Sequence, residues 1–505
     1  MLTPLPPQEW DLTKAAHLLN RAGFGGTPAH VDSLVRSGMA ATVRYLVDGP
    51  AAPVPAPAPD WAKPTDFAEL REQVMQAKAN VPPGDEAATR AVRKEVGQAR
   101  RRENFQHTLD LSAWWLDRMR ESIDPLEEKM TLFWHGHFAT SAVKVRDAYF
   151  MWRQNQTFRE HARGNFGVLV KAMSRDPAMI QWLDLRESKA AHPNENFARE
   201  VMELFTLGEG HYTEKDVTEG ARAFTGYRID PRDSSFRFVV RDHDNTPKTF
   251  LGRTDVFDGD QVIDTILAQP VCAQYLANKL WTFFAYENAP APLVAALANT
   301  IRASKYEMRP VLHQMFTSQE FYSAAAVRTQ IKSPIQWAVQ TARALEIELP
   351  PKGALATALR QMGQVPFYPP SVKGWDGGKA WISTSTLLTR YNLAGSLLRV
   401  PKPRPELDFD LEPVMSLNGV RPAPPLASPT QIDLAKLAPP ETRRDPKTLV
   451  RTLAARLFQG PLAPKDEQSF TEYVNVIAAS GKGVTDQNVT GLMHLMMSTP
   501  SFQLC

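Results

Sequence analysis

Cysteine is scarce in this sequence, which limits the kinds of site that the chain can build. Only two of the 505 residues are cysteine, Cys272 and Cys505. Two distant cysteines cannot form a disulfide framework or a zinc site made of thiolates. A chain with so little cysteine folds equally well in a reducing or an oxidising compartment. Cysteine content therefore leaves the compartment open.

The sequence also lacks an excess of charge of one sign and long apolar runs. The 58 Lys and Arg residues nearly balance the 55 Asp and Glu residues, so the net charge is only +3. Nucleic-acid binders usually carry a concentrated basic face, so we expect no nucleic-acid partner. No apolar run approaches the roughly 20 residues that span a bilayer, so no membrane span is expected.

A secretory signal peptide is not predicted, because no basic segment followed by an apolar stretch occurs near the first residue. We therefore expect a cytoplasmic protein, or one exported together with a signal-bearing partner. Three common catalytic motifs are missing as well: the GxSxG elbow, the phosphate-cradling glycine loop and the dinucleotide fingerprint. Their absence disfavours serine hydrolases, P-loop NTPases and Rossmann oxidoreductases.

Helical periodicity is the main pattern in the sequence. Apolar residues recur at helical spacing along most of the chain, which predicts an all-α fold: a multi-helix body with one small β-hairpin and long proline-rich loops. A single long helix is expected over 85–122. Further helical segments are expected over 124–138, 151–186, 194–208, 215–226, 260–287, 293–319, 332–346 and 352–363. The best strand candidate is "SFRFVVRD", 235–242, because its apolar and polar residues alternate.

Length and proline content divide the chain into segments. A chain of 505 residues exceeds one small core, and proline-rich stretches cannot sustain a helix. The predicted segments are an N-terminal helical segment (1–50), a proline-rich spacer (51–84), a main helical domain with the candidate site (85–398), a proline-rich arm (399–446) and a C-terminal helical segment that packs on the main domain (447–505).

Helix starts are predicted where a capping residue precedes a periodic stretch. Asp11 and Thr27 are candidate N-caps, and Pro28 suits a first helical turn. Thr213 and Asp216 have capping-box spacing. The stretch "TDVFDGDQVID" (254–264) resembles a calcium loop, but Val256 occupies a ligand position. We therefore predict an N-cap at Asp258 or Asp260 instead.

Two histidines one residue apart stand out in "TLFWHGHFATS", 131–141. In a regular helix, His135 and His137 point about 200° apart and cannot share one metal ion. They can share an ion only if Gly136 breaks the helix, because alternate residues of an extended chain face the same side. A metal pair is one interpretation. The other is one core histidine and one hydrogen-bonded histidine on the surface. If only one of the two faces the acidic helix described next, we expect His137.

Two carboxylates one turn apart occur in "PNENFAREVMELFTLGEGHY", 193–212. Asn196, Glu200 and Glu203 fall on one helical face, whereas Arg199 can pair with Glu195. A half-buried carboxylate pair raises the pKa of one member or shares a cation, and either property suits acid/base chemistry. The alternative is an exposed acidic face. The loop residue His211, which follows, is a candidate substrate-binding group.

Two more stretches carry candidate residues. "RDHDNTPKTFLG" (241–252) follows the strand candidate, and its His243 and Asp244 could act as a base with its orienting carboxylate, or form only a polar turn. "GQVPFYPPSVKGWDGGKAWISTSTLLTRYN" (363–392) presents aromatic side chains from a proline- and glycine-rich loop. Such a loop either holds a sugar ring or packs onto a helical core. The aromatic candidates for substrate binding are Tyr368, Trp375, Trp381 and, from the histidine motif, Trp134.

Several long motifs together resemble one bacterial family. They are "HLLNRAGFGGTP", "FWHGHFATS", "DPAMIQWLD", "PNENFAREVMELFTLGEGHYTEKDVTEGARAFTGY" (with Val201 where leucine is usual), "GQVPFYPPSVKGWDGG" and "WISTSTLLTRYN". The chain resembles the domain-of-unknown-function family numbered eighteen-hundred over nearly its whole length. The resemblance implies a mostly helical fold and a sulfatase/phosphatase-like partner protein that is often encoded nearby and often exported. It supplies no catalytic residues.

The sequence therefore predicts an enzyme with hydrolase-type acid/base chemistry on a polar, carbohydrate-like substrate. Glu200, Glu203, His243 and Asp244 are the candidate catalytic residues, and one divalent metal ion is a candidate cofactor at His135 and His137. Two alternatives remain open at this point. One is a metal-dependent oxidoreductase that uses the same histidines and carboxylates. The other is a non-enzymatic helical partner of an exported sulfatase-like protein.

Overall fold

The fold is mainly helical, as the periodicity predicts. The computed structural model describes residues 2–50, 57–64, 67–79, 81–82, 84–398, 432–479, 481 and 483–505. Within these residues it contains 23 α-helices and two small antiparallel sheets. Most of the predicted proline-rich arm, 399–431, and the first part of the spacer, 51–56, lie outside the described residues.

The helices follow one another along the whole described chain. In order they are α1 (Leu12–Arg21), α2 (Pro28–Ser37), α3 (Met39–Asp48), α4 (Phe67–Lys78), α5 (Glu86–Glu121), α6 (Pro125–His137), α7 (Ala142–Val145), α8 (Ala148–Glu160), α9 (Phe166–Ser174), α10 (Pro177–Trp182), α11 (Asn196–Glu203), α12 (Glu214–Ala223), α13 (Gly259–Leu267), α14 (Pro270–Phe284), α15 (Ala291–Ala303), α16 (Met308–Thr317), α17 (Pro334–Leu345), α18 (Lys352–Met362), α19 (Thr384–Leu397), α20 (Leu434–Leu437), α21 (Pro446–Leu457), α22 (Pro464–Ala478) and α23 (Asp486–Met497).

Capping residues start these helices where the sequence predicts. The side chains of Asp11 and Thr27 accept hydrogen bonds from backbone N–H groups in the first turns of α1 and α2. Thr213 and Asp216 form the expected capping box of α12, and Asp258 caps α13. Each cap satisfies a backbone donor that the helix leaves unpaired, which stabilises the protein by about 1 kcal/mol.

Three long predicted helical segments are broken in the structure. Segment 151–186 contains part of α8 together with α9 and α10, 260–287 divides into α13 and α14, and 293–319 divides into α15 and α16. Pro177 and Pro270 occupy the first turns of α10 and α14, where proline fits but cannot continue a preceding helix. The long stretch 85–122, in contrast, forms one helix of 36 residues, α5.

The predicted hairpin exists, and a second one accompanies it. β1 (Tyr227–Ile229) pairs with β2 (Phe236–Phe238), so the strand is shorter than the predicted 235–242. After β2 the chain enters a 3₁₀ turn at Val240–Asp242. The second pair, β3 (Lys248–Phe250) with β4 (Arg253–Asp255), was not predicted, because three-residue strands are too short for alternation to be visible.

Two large hydrophobic cores meet at α6. One core surrounds Trp134 and Phe138 and draws on α9, α11, α14 and α16. The other surrounds Trp115 and Trp337 and combines α5, α17 and α18 with the C-terminal helices α21 and α23. Leu132 of α6 belongs to the second core, whereas Phe133 and Trp134 belong to the first. The histidine motif therefore lies at the junction of the two cores.

A buried ionic network fixes α6 against its neighbours. The fully buried Glu128 accepts hydrogen bonds from Arg118 of α5 (2.8 Å), from Arg159 of α8 (2.9 Å) and from the indole N–H of Trp115 (2.8 Å). Burial opposes ionisation, but the two arginines outweigh it and lower the pKa of Glu128. Removing one partner from such a network typically costs about 3–5 kcal/mol, so the position of α6 is strongly specified.

Among the described residues, no helix is both long and apolar enough to cross a membrane.

Candidate functional site

Helix α6 remains regular through the histidine motif. It runs from Pro125 to His137, and the backbone N–H of Phe138 still donates to Trp134 O at 2.8 Å. Gly136 therefore does not break the helix, and His135 and His137 point in different directions. In the part of the chain that the structure describes, no group of three or more His, Cys, Asp or Glu side chains is arranged to hold a metal ion.

His135 is a buried acceptor in the core. Its Nε2 accepts a hydrogen bond of 3.0 Å from the backbone N–H of Phe367. Its ring packs against Trp115, Phe367 and Trp375, with centroids 5.2–5.6 Å apart. Burial lowers its pKa to about 3, so the imidazole is neutral and its Nε2 is already occupied.

His137 faces the opposite side and contacts the segment that follows α11. Its Nε2–H donates to Phe205 O at 2.9 Å, and among the described residues its buried Nδ1 has no hydrogen-bond partner. Burial, reinforced by the positive charge of Lys279, lowers its pKa to about 3. The two Nε2 atoms are thus engaged at different places, and this pair does not fit one shared metal ion.

Glu200 and Glu203 lie half-buried one turn apart on α11. Glu203 accepts a hydrogen bond of 2.5 Å from the hydroxyl of Tyr212. Burial raises the pKa of Glu200, and the charge of Glu203 raises it further. Arg199 forms its ion pairs with Glu195 (3.4 Å) and Glu214 (2.7 Å), and its charge offsets only part of the rise in the Glu200 pKa.

Helix α14 brings two further polar side chains to this carboxylate pair. The Tyr275 hydroxyl donates to Leu204 O at 2.7 Å, and the charge of Glu203 contributes to raising the Tyr275 pKa, after burial. Lys279, one turn on, lies over the Tyr275 ring at 5.5 Å. Burial lowers its pKa, and its ammonium forms no hydrogen bond or ion pair within the described residues. Neither Tyr275 nor Lys279 was predicted from the sequence, although their spacing places both on one face of an apolar helix.

The loop over residues 363–381, here called the aromatic loop, packs on the end of α6. The Phe367 carbonyl accepts from Ala142 N at 2.9 Å. Gly374 lies so close to Gly136 that a Cβ at Gly374 would be 2.5 Å from the Gly136 carbonyl oxygen. Lys373 of this loop lies near Lys279, whose pKa its charge lowers further. The loop therefore closes one side of the region that contains the carboxylate pair.

The aromatic residues predicted to bind substrate occupy different environments. Trp134 is fully buried, and its indole N–H donates to Ala162 O at 3.1 Å. The structure thus places Trp134 in the core, where no substrate can reach it. Trp381 is also buried, at 6% exposure. Tyr368 is half-buried, and burial raises its pKa to about 12. Trp375 is partly exposed beside His135.

His243 and Asp244 are engaged with α12 and its end rather than with the carboxylate pair. The buried His243 donates from Nδ1 to Thr225 O at 3.0 Å. Asp244 forms a 2.7 Å ion pair with Arg222. Burial raises the pKa of Asp244, but hydrogen bonds from Arg222 and Thr246 outweigh it and bring the pKa well below its usual range. These contacts describe a polar turn.

The structure thus brings part of the predicted set together. Glu200, Glu203 and Tyr212, with Tyr275 of α14, form what we call the carboxylate site. Lys279 lies one turn beyond Tyr275, over its ring. Asn196 and His211 are exposed near the two ends of the same segment. His137 supports the site through the backbone of Phe205, whereas His135, His243 and Asp244 make their contacts elsewhere.

Comparison with known proteins gives a family but no characterised relative. No curated protein and no solved structure matches the chain. The model of one family, described as "Protein of unknown function (DUF1800)", matches residues 17–504. That match includes both cores, the histidine motif, the carboxylate site and the aromatic loop, so the chain belongs to this family.

Proposed function

We propose that the protein is an enzyme that performs hydrolase-type acid/base chemistry at the carboxylate site, on a polar, carbohydrate-like substrate. The observation that carries the proposal is the coupling of Glu200 and Glu203. Burial and the neighbouring charge raise the pKa of Glu200, whereas Glu203 accepts the Tyr212 hydrogen bond. A carboxyl group whose pKa is raised beside a second carboxyl group is suited to act as the acid of an acid/base pair.

In this proposal Glu200 is the general acid. A raised pKa keeps more of its carboxyl protonated near neutral pH, so that it can donate a proton to a leaving group. Glu203 is the general base. The Tyr212 hydroxyl donates to one of its oxygens at 2.5 Å, which holds the side chain in place. The other oxygen remains available to a water molecule.

Lys279 would stabilise negative charge that develops on the substrate. It is half-buried and has no carboxylate partner within the described residues, and burial lowers its pKa. A cation in a partly water-excluded site interacts more strongly with a developing oxyanion than a cation in bulk water does. Trp375, Asn196 and His211 are the proposed substrate-binding residues, because each is at least partly exposed.

The test is a hydrolysis screen with purified variants. Wild-type protein is assayed on chromogenic glycosides and sugar esters beside Glu200→Gln, Glu203→Gln and the control Glu441→Gln, at an exposed carboxylate of the C-terminal segment. We expect hydrolysis by the wild type, a loss of about 100-fold or more in kcat for the first two variants, and near-wild-type activity for the control. Equal activity in all four proteins would contradict the assignment.

A second candidate function is docking of the sulfatase/phosphatase-like partner that the family resemblance implies. It is supported by exposed apolar side chains on α19, namely Leu387 (41%), Leu388 (59%) and Tyr391 (49%). Exposed apolar patches commonly mark interaction sites. Co-purification of the partner with wild-type protein, and its loss with Leu388→Asp, is the expected result. Capture that is equal with both proteins would contradict docking at this surface.

A further inference from the structure

We infer that a second site, separate from the carboxylate site, binds a small organic anion. This second site is a cleft lined by arginines. The cleft lies between α5, the start of α8, the end of α10 and the β1–β2 hairpin. Its volume is about 530 Å³, which falls within the usual range for small-molecule pockets of roughly 300–1,000 Å³. It shares no residue with the carboxylate site.

The lining of the cleft is positively charged. Arg100, Arg146, Arg186 and Arg228 contribute four cations, and only two carboxylates line the same cleft. With Asp242, which pairs with Arg228, counted as well, the formal excess is one positive charge. A concave surface concentrates the field of such an excess and attracts anions. Because the net charge of the whole chain is only +3, this local excess is a property of the cleft rather than of the surface in general.

The arginines differ in how firmly they are held. Arg228 is fixed by Asp242 at 2.7 Å and by Ser188 O at 3.0 Å. Arg186 is exposed, and its pair with Glu187 is long, 3.8 Å. Arg146 is exposed and donates to Val143 O at 3.1 Å, with no ion pair to a carboxylate within the described residues. Arg146 and Arg186 can therefore turn toward a ligand at little cost, since exposed ion pairs contribute little.

An unsatisfied hydroxyl lies in the wall of the same cleft. Ser234 is 1% exposed, and its Oγ has no hydrogen-bond partner in the structure as described. Its backbone is held in the left-handed region, at φ 61°, and its N–H donates to Asp230 O at 2.9 Å. A buried hydroxyl without a partner is unfavourable, so a ligand oxygen that accepts from it removes that penalty.

The chemistry of the lining indicates the class of ligand. Planar guanidinium groups match the oxygens of phosphate and sulfate in a bidentate fashion. Phe150 and Ile229 add an apolar wall, which a bare inorganic ion cannot use. We therefore assign to the cleft a phosphate or sulfate monoester carried on a body of about the size of one sugar ring.

Calorimetric titration in low-salt buffer tests the assignment. The probes are glucose 6-phosphate, glucose 6-sulfate, inorganic phosphate and glucose. We expect saturable binding of at least one ester that weakens as salt is added, weaker binding of inorganic phosphate, and none of glucose. The first two probes separate phosphate from sulfate as the recognised group.

The matched variants are the double variant Arg146→Gln/Arg186→Gln and the control Arg309→Gln, an exposed arginine of α16. The double variant is expected to raise the dissociation constant of the bound ester about tenfold or more, and the control to leave it unchanged. Thermal denaturation verifies that both variants fold. The proposal would be overturned if neither ester binds saturably. It would also be overturned if the wild type and the double variant bind the ester equally tightly.

Discussion

The Nε2–H of His137 donates to the carbonyl oxygen of Phe205 at 2.9 Å, which ties the end of α6 to the segment just after α11. The Tyr275 hydroxyl holds the preceding carbonyl, that of Leu204, at 2.7 Å. Two side chains from different helices thus fix the C-terminal end of the helix that carries Glu200 and Glu203. The second histidine of the motif has a positioning role in this arrangement.

Replacing His137 with phenylalanine removes this donor but keeps an aromatic ring among its aromatic neighbours. The Phe205 carbonyl loses its His137 donor, and we expect the free energy of unfolding to fall by about 1–3 kcal/mol. Urea denaturation measures the change. His211→Gln, at an exposed histidine, is the control and should lie within about 0.5 kcal/mol of wild type. Equal stability of His137→Phe and wild type would show that the bond is unimportant.

Gly374→Ala should destabilise the protein by more than the conformational penalty of placing alanine in the left-handed region. Gly374 has φ +87°, and a Cβ there would be 2.5 Å from the Gly136 carbonyl oxygen. Gly210 has nearly the same φ, +81°, but open space around it. Gly210→Ala should therefore cost only the conformational penalty of about 1–2 kcal/mol. Thermal denaturation compares the two, and an equal loss would mean that the aromatic loop does not press on α6.

Acid should destabilise the protein through three buried histidines. His17, His135 and His137 have pKa values of about 3 in the folded protein, because burial disfavours their charged forms. Their ordinary value is 6.5, so the unfolded chain binds more protons than the folded one between pH 6.5 and 3. Stability is full above that window and falls as the pH falls through it, by about 2 kcal/mol per histidine at pH 5.

Urea denaturation at pH 7.5 and pH 5.0 measures this loss. The His137→Phe variant lacks one of the three titrating rings, so its stability should fall less between the two pH values than that of wild type. If wild type and variant lose the same amount, protonation of His137 does not contribute.

The substitution Lys279→Met should affect the stability and the hydrolytic activity of the protein differently. The lysine is half-buried without a carboxylate partner among the described residues, so replacing it with an apolar side chain of similar size should leave stability unchanged or raise it. Its charge also lowers the pKa of His137, so that pKa should rise in the variant, measured by NMR. Hydrolytic activity should fall if Lys279 stabilises charge. Lower stability with unchanged activity would assign Lys279 a structural role.

Local sequence signals predicted the helices well, because their causes are local. The apolar period and the side chains of Asp11, Thr27, Thr213 and Asp258 act within one or two turns. Helical geometry also predicted that His135 and His137 point in different directions if the helix is regular, and the helix is regular. The two three-residue hairpin strands of the second sheet carry no comparable local signal.

The site depends on contacts between distant parts of the chain, which periodicity cannot supply. The bond between Phe367 N and His135 Nε2 joins residues 232 positions apart. The arrival of Lys279 beside His137 depends on how α14 packs against α6. Trp134 illustrates the limit in the other direction: a tryptophan beside two histidines suggests a binding surface, but the packing of both cores around α6 buries it completely.

The coupling between Glu200 and Glu203 is the central claim of the proposed chemistry, and the pKa of Glu200 reports it directly. NMR titration of protein labelled with ¹³C at the glutamate carboxyl carbons measures that pKa in wild type and in Glu203→Gln, with Glu441→Gln, at an exposed carboxylate of the C-terminal segment, as the control. The expected result is a Glu200 pKa above its ordinary value of 4.5 that moves down toward it in Glu203→Gln and stays unchanged in the control. A Glu200 that titrates at its ordinary value in wild type, or that ignores the loss of the Glu203 charge, would contradict the carboxylate site as an acid/base pair.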